Sequence, residues 1–257
     1  MQVHLVPIFE DNYVFVLQQN NSQDAVAVDP GSAPEVLTFL KKENLKLKQI
    51  WLTHHHQDHI GGLVELQQAT GTVVYAAAAD HRRIPLVQKT LNDGNEFQAL
   101  GEKVLVQSLD GHTRGHIGFW LPNSEIYFCG DTLFVMGCGR LFEGTAKEMG
   151  ASLQKIRSLP PNTKLYCTHE YTETNLRFAL EIEPGNSALK KRKKEILAVR
   201  KHQQPTVPTT VAEEIATNPF LRWDSAEIQK NTHSEGREFW EIFGATRQAK
   251  DEWDRQH

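Results

Sequence analysis

Four histidines and one aspartate fall within six consecutive positions of this 257-residue chain, in Thr53-His54-His55-His56-Gln57-Asp58-His59-Ile60-Gly61-Gly62. Imidazole nitrogens and carboxylate oxygens with no thiolate suit zinc, iron or manganese. The chemistry this stretch can do is therefore to hold metal. An apolar run at 49–52 leads in, and the Gly61-Gly62 pair leads out into the helical spacing of Leu63 and Leu66. A surface histidine tract with adventitious affinity would need neither the aspartate nor that frame. If the chain leaves the strand still extended, His54 and His56 point one way and His55 another, because side chains alternate along extended backbone. The chain then turns, and Asp58 and His59 aim beside the first pair. Two adjacent metal positions follow.

Two ions need more ligands than one loop holds, and three later apolar runs end in histidine or aspartate. Residues 105–109 lead into Asp110-Gly111-His112-Thr113-Arg114-Gly115-His116, residues 125–129 into Gly130-Asp131-Thr132, and residues 164–167 into Thr168-His169-Glu170.

The ordered set His-x-His-x-Asp-His, Gly-His-Thr-x-Gly-His, Gly-Asp-Thr and a late histidine, spanning 54 to 169, resembles the metallo-β-lactamase superfamily. The resemblance implies that His54, His56 and His112 bind one divalent ion, that Asp58, His59 and His169 bind a second, and that Asp131 bridges them. Asp58 and Asp131 thereby become catalytic residues as well as ligands. Zinc is the first choice of metal, with iron or manganese as alternatives. His116 stands outside the set and reads as a structural histidine or one that supports a ligand.

Elements able to position these residues can be read along the chain. Residues 13–17 and 25–28 read as strands separated by a polar turn, the second ending at Asp29-Pro30-Gly31. Asp29 is either a turn residue or the hydrogen-bond partner of a metal ligand. Ser32-x-x-Glu35 reads as a capping box, with Val36, Leu37 and Leu40 as the apolar stripe of the helix it opens. A strand at 49–52, the ligand loop, a helix to about 68 and a strand at 72–76 continue an α/β alternation. From 97 to 129 strands follow one another across short polar turns. Thr145-x-x-Glu148 caps a further helix carrying Met149, Leu153 and Ile156. Two sheets covered by helices, the αββα sandwich of the superfamily, accommodate this as a catalytic domain over 1–170. Beyond Tyr171 the strand signal fades, and helical stretches broken by prolines give a small helical domain over 171–257, its last helix beginning near Ser234.

Net charge is −4, so no general polyanion-binding surface, and no nucleic-acid partner, is expected. The one basic run, 190–194, reads as a solvated helix face. Three cysteines, Cys129, Cys138 and Cys167, form no Cys-x-x-Cys pair, which fits a reducing compartment. The N-terminus lacks a basic leader, and no stretch approaches the roughly 18 apolar residues of a membrane span. A cytoplasmic monomer with no membrane association is expected.

The C-terminal third narrows the family. Thr168-His-Glu-Tyr-Thr172, Glu183-Pro-Gly-Asn186, Thr217-Asn-Pro-Phe-Leu-Arg222 and Arg247-x-x-Lys250-Asp251 resemble the glyoxalase II, or hydroxyacylglutathione hydrolase, family nearly end to end. That resemblance implies hydrolysis of S-D-lactoylglutathione to D-lactate and glutathione, with a metal-bridging hydroxide as nucleophile and glutathione thiolate as a leaving group that needs no general acid. It further implies that Arg140, Phe142, Tyr171, Arg247 and Lys250 contact the glutathione moiety. Arg140 stands where lysine is usual and Phe142 where tyrosine is usual; the first keeps the charge but not the geometry, and the second loses a hydroxyl. The alternative from another reaction class is a mononuclear iron dioxygenase of the same fold acting on glutathione persulfide, which lacks the helical domain and leaves the second metal position empty.

Overall fold

Alternating apolar residues in extended backbone give a sheet two faces with different duties, and the N-terminal part of this chain uses both. A computed structural model describes all residues, Met1–His257. They divide into one unit of Met1–Ser108 with Arg114–Gly130 and another of Leu109–Thr113 with Asp131–His257.

The first unit runs β1 (Gln2–Ile8), β2 (Asn12–Gln18), β3 (Asp24–Val28), α1 (Ala33–Lys42), β4 (Lys46–Trp51), α2 (Gln57–Ile60), α3 (Leu63–Thr70), β5 (Val73–Ala77), β6 (Lys89–Leu91), β7 (Glu96–Ala99), β8 (Glu102–Ser108), β9 (Ile117–Leu121) and β10 (Ile126–Gly130). One sheet is ordered β1-β2-β3-β4-β5-β6, antiparallel through β3 and parallel from β3 to β6. Parallel neighbours need crossovers; α1 supplies the one from β3 to β4, and α2 with α3 the one from β4 to β5. β10, β9, β8 and β7 lie side by side in a second sheet, antiparallel throughout.

Val14, Val16, Ala25, Ala27, Ile50 and Val74 face outward onto Val36 and Leu40 of α1 and Leu63 and Leu66 of α3, in one buried cluster. Residues in the opposite phase face the second sheet. Trp51 meets Phe119 at 5.1 Å and Phe97 at 5.3 Å between ring centroids, and Phe15 meets Phe128 at 5.5 Å. Helices on a sheet and that sheet on another is the layering of this unit, and truncating one such buried ring costs about 3–5 kcal/mol. One detail departs from the expected capping. Ser32 is the N-cap of α1 but accepts no backbone N–H; its hydroxyl donates instead to the Glu35 carboxylate.

The second unit contains β11 (Leu133–Phe134), β12 (Gly137–Cys138), α4 (Ala146–Arg157), β13 (Lys164–Cys167), α5 (Thr172–Ile182), α6 (Ser187–Arg200), β14 (Thr209–Thr210), α7 (Val211–Thr217), α8 (Ala226–Asn231) and α9 (Phe239–Asp254). Thr145 and Glu148 form the expected reciprocal box on α4, with Glu148 N donating to Thr145 Oγ1 at 3.2 Å and Thr145 N to Glu148 Oε2 at 2.7 Å. Met149, Leu153 and Ile156 are buried along one face of that helix. The last helix starts at Phe239 behind Glu238 rather than near Ser234, because Ser234 is buried in the turn after α8, its hydroxyl 2.7 Å from that of Thr232.

The basic run on α6 is not a uniformly solvated face. Lys190, Lys191, Lys193 and Lys194 are exposed, but Arg192 is buried, donating to Glu214 Oε1 at 2.8 Å and Thr209 Oγ1 at 2.6 Å. Glu214 Oε2 accepts from Met136 N at 2.8 Å and Asn218 Nδ2 at 2.9 Å, and Asn218 Nδ2 also donates to Gly137 O at 2.9 Å. A buried ion pair is tolerated when its remaining hydrogen-bonding capacity is met. Here it braces the β11–β12 turn, just beyond Asp131. No helix is long and apolar enough to cross a membrane.

Candidate metal centre

Asp29 controls where the ligand loop begins. It follows β3 in the left-handed region, φ 51°, which aspartate tolerates better than most residues. Its Oδ1 accepts from Thr53 N and its Oδ2 from Thr53 Oγ1, both at 2.7 Å. The same Oδ2 is 3.1 Å from His59 Nδ1, and Thr53 Oγ1 is 3.1 Å from His54 Nδ1. The His54 ring is thus held through Nδ1 at Thr53 Oγ1, and the Asp29 carboxylate lies against Nδ1 of His59. Asp29 is a turn residue whose carboxylate also lies beside the His59 ring.

His56 is still extended, with φ −62° and ψ 146°, as the N-cap of α2. Asp58 follows in the first turn, and its Oδ2 accepts from Asn12 Nδ2 at 2.9 Å. Gly31 passes so close beneath that a Cβ there would lie 1.8 Å from the Asp58 carbonyl oxygen. His55 turns away, Nδ1 lying 3.3 Å from Asp80 Oδ2 and Nε2 3.2 Å from Arg83 Nη1. His116 is buried and stacks on His54, with ring centroids 4.8 Å apart.

In the second unit the N–H groups of Phe142 and Glu143 donate to His112 O at 3.2 and 3.3 Å, and the His112 ring is fixed by Nδ1 donating to Arg140 O at 2.9 Å. Its Nε2 is 3.5 Å from Asp131 Oδ2, and His169 Nε2 is 3.4 Å from that same oxygen. Asp131 leaves β10 through Gly130, whose φ is 47° and where a Cβ would come within 2.5 Å of Thr53 Oγ1. Only glycine fits there.

In the first unit the His54 ring centroid lies 4.6 Å from that of His56 and 4.1 Å from that of His59, and in the second His112 and His169 flank one oxygen of Asp131. Borderline nitrogen donors and hard carboxylates in both groups suit divalent ions.

The residues expected at the glutathione moiety fall into two groups. Phe142 is exposed with its ring 5.1 Å from that of His112, and Tyr171 is half-exposed and stacked on His169 at 4.7 Å. Arg247 and Lys250 are buried at 4% exposure each, unlike ordinary charges on a terminal helix. Arg247 Nη2 lies 2.8 Å from Asp251 Oδ1 and 3.6 Å from Asp254 Oδ2, and Nη1 donates to Cys138 O at 3.2 Å. Lys250 Nζ binds the Asp254 carboxylate and sits 4.8 Å from the Trp253 ring centroid. Burial pushes the Lys250 ammonium below its usual pKa, and Asp254 opposes that push. Arg140 is exposed, with Nη2 3.8 Å from Asp254 Oδ2. Asp254 was not singled out in the sequence, although an acid four residues after Lys250 and seven after Arg247 shares their helix face.

Comparison with known proteins accords with this geometry. The model of the metallo-β-lactamase superfamily matches residues 9–169, and that of the hydroxyacylglutathione hydrolase C-terminus matches residues 170–253. A hydroxyacylglutathione hydrolase of Methylococcus capsulatus is 45% identical over 251 residues, covering 98% of each chain. Among solved structures, the BLEG-1 B3 metallo-β-lactamase superposes with a TM-score of 0.68 at 23% identity, covering 86% of this chain and all of the other. ETHE1 from Myxococcus xanthus superposes with a TM-score of 0.67 at 22% identity, covering 97% and 98%. These two share the fold, whereas the full-length relative and the two domain matches decide the family: the chain is a member of the hydroxyacylglutathione hydrolases, within the metallo-β-lactamase superfamily.

Proposed function

We propose that this chain hydrolyses the thioester of S-D-lactoylglutathione to D-lactate and glutathione. The single observation that carries the reading is Asp131, one carboxylate oxygen of which faces both His112 and His169, one histidine from each proposed triad. His54, His56 and His112 would hold one divalent ion, Asp58, His59 and His169 the other, and Asp131 both, with zinc the first choice. When bound, such a pair would supply Lewis acidity and lower the pKa of water to about 7. The chain's own part is orientation. Thr53 and the Arg140 carbonyl fix the His54 and His112 imidazoles through Nδ1, Asp29 lies beside Nδ1 of His59, and Phe142 and Tyr171 wall the His112 and His169 rings. Arg140, Arg247 and Lys250 would take the glutathione carboxylate end, remote from the reacting carbonyl. A thiolate leaves without protonation, so no side chain is assigned as general acid.

Metal analysis and thioester hydrolysis on the purified protein test this reading together. Two ions per chain, with loss of the thioester and stoichiometric release of free thiol, are expected. One ion per chain with oxygen uptake and no thioester cleavage would favour the persulfide dioxygenase instead. The helical C-terminal domain, matched to hydroxyacylglutathione hydrolases over residues 170–253, favours the hydrolase.

No cysteine is expected to be acylated. Cys129 and Cys167 are buried in β10 and β13, and burial pushes the Cys138 thiol up to about 11, with Arg247 opposing. A thiol that stays protonated near neutral pH is a poor nucleophile. Each Cys→Ala variant should therefore keep most of its turnover; a trapped acyl-cysteine in the mass spectrum of the enzyme under turnover would reject the water-attack chemistry.

A further inference from the structure

The stripe Arg247, Lys250, Asp251 and Asp254 runs along one face of α9 at helical spacing. Its last member is unexpected in electrostatic terms. A carboxylate at the C-terminal end of a helix faces the negative pole of the helix dipole, and Asp254 is the final residue of α9. It is held there by cations. Asp254 lies 3.6 Å from Arg247 and 3.8 Å from Arg140 and is bonded to Lys250. All three cations assigned to the carboxylate end of glutathione therefore converge on one internal carboxylate. Counting side-chain charges, three cations against Asp251 and Asp254 leave a surplus of one, which matches a single ligand carboxylate. The internal acids do not exhaust the donors either, since Arg247 Nε is buried with no hydrogen-bond partner.

From this convergence we infer that Asp254 is a specificity-determining residue that competes with the ligand carboxylate for Arg140, Arg247 and Lys250. It keeps the buried cations paired in the empty site, admits one carboxylate in exchange, and weakens retention of the glutathione product. The inference rests on the proposed reading that these cations bind the glutathione moiety. Its consequence is kinetic: substrate and product affinities are both set lower than three unopposed cations would give, so product leaves faster.

The test is calorimetric titration of glutathione into the full-length, metal-loaded protein, with glutathione inhibition of thioester hydrolysis measured in parallel. Asp254→Asn keeps the shape and removes the charge, and should tighten glutathione binding by roughly tenfold, the scale of one charge-assisted contact. KM for the thioester should fall in parallel, by a larger factor than kcat changes. Asp254→Ser carries the same expectation should the asparagine variant fold poorly. Unchanged or weaker glutathione binding in both variants, with binding weakened in Arg247→Ala/Lys250→Ala, would overturn the competitor role alone and leave the pocket assignment standing. Binding unchanged in the double variant as well would remove the pocket from glutathione recognition, and the inference with it.

Discussion

Replacing Asp131 with alanine is expected to strip the protein of metal and abolish thioester hydrolysis while leaving the fold intact. Asp131 is 5% exposed, and its Oδ2 sits within 3.5 Å of both His112 and His169, so one deletion reaches a histidine of each proposed triad. Partners one step removed from a metal typically cost 10–100-fold in affinity or activity when lost; loss of a shared direct ligand should exceed about 100-fold. Alanine fits the small space at the end of β10, and the strand ladder from β7 to β10 does not depend on the carboxylate. Metal content, turnover and circular dichroism of the variant check the expectation together. Tyr171→Phe is the companion control, since it keeps the ring stacked on His169 and should leave metal content unchanged. An Asp131→Ala protein with two ions per chain and near-normal turnover would disprove the bridging assignment.

Neutralising Arg247 and Lys250 together should raise KM by about one to two orders of magnitude or more with little change in kcat. A charge-assisted hydrogen bond contributes about 1.5–3 kcal/mol, and a contact made equally in ground and transition states changes KM alone. The two effects should be non-additive, because both side chains share Asp254 as a partner. Added salt should weaken substrate binding to the wild type in the same direction, through screening. Both residues are buried and also pack on aromatic rings, Arg247 at 5.2 Å from the Phe220 centroid and Lys250 at 4.8 Å from that of Trp253, so some loss of thermal stability should accompany the kinetic change. Steady-state kinetics of Arg247→Ala/Lys250→Ala on protein shown to be folded decides the matter. A fall confined to kcat would take these residues out of the binding site.

Much of this architecture is legible in local sequence because local physics governs it. Period-two apolar runs locate β2, β3, β4 and β5, and the Thr145 and Glu148 pair locates the start of α4, since strand faces and caps depend on residues a few positions apart. The same logic fails where a short polar residue has two partners to choose from. Ser32 and Glu35 have the spacing of a capping box, yet the hydroxyl goes to the carboxylate rather than to backbone N–H. Ser234 looks like a helix start and instead closes the turn after α8. Arg192, inside a run of lysines, looks solvated until Glu214, Thr209 and Thr217 are folded around it, and no spacing rule connects residues 192 and 214.

By itself, the sequence determines the metal-binding character of residues 54–59, the mixed α/β order of the chain and, through the motifs carried to residue 250, its membership of the hydroxyacylglutathione hydrolases. Ligand chemistry depends on residue type, and the spacing within one loop is short enough for backbone geometry to orient the side chains. Only the tertiary structure decides that Asp29 meets His59 and Thr53 at once, that a single oxygen of Asp131 faces two histidines, and that three cations meet on Asp254. Apart from the pairs that Arg247 and Lys250 make with Asp254 within one helix, those contacts join residues 19 to 114 positions apart in the chain. Their geometry is set by packing of sheets and helices, which no local pattern encodes.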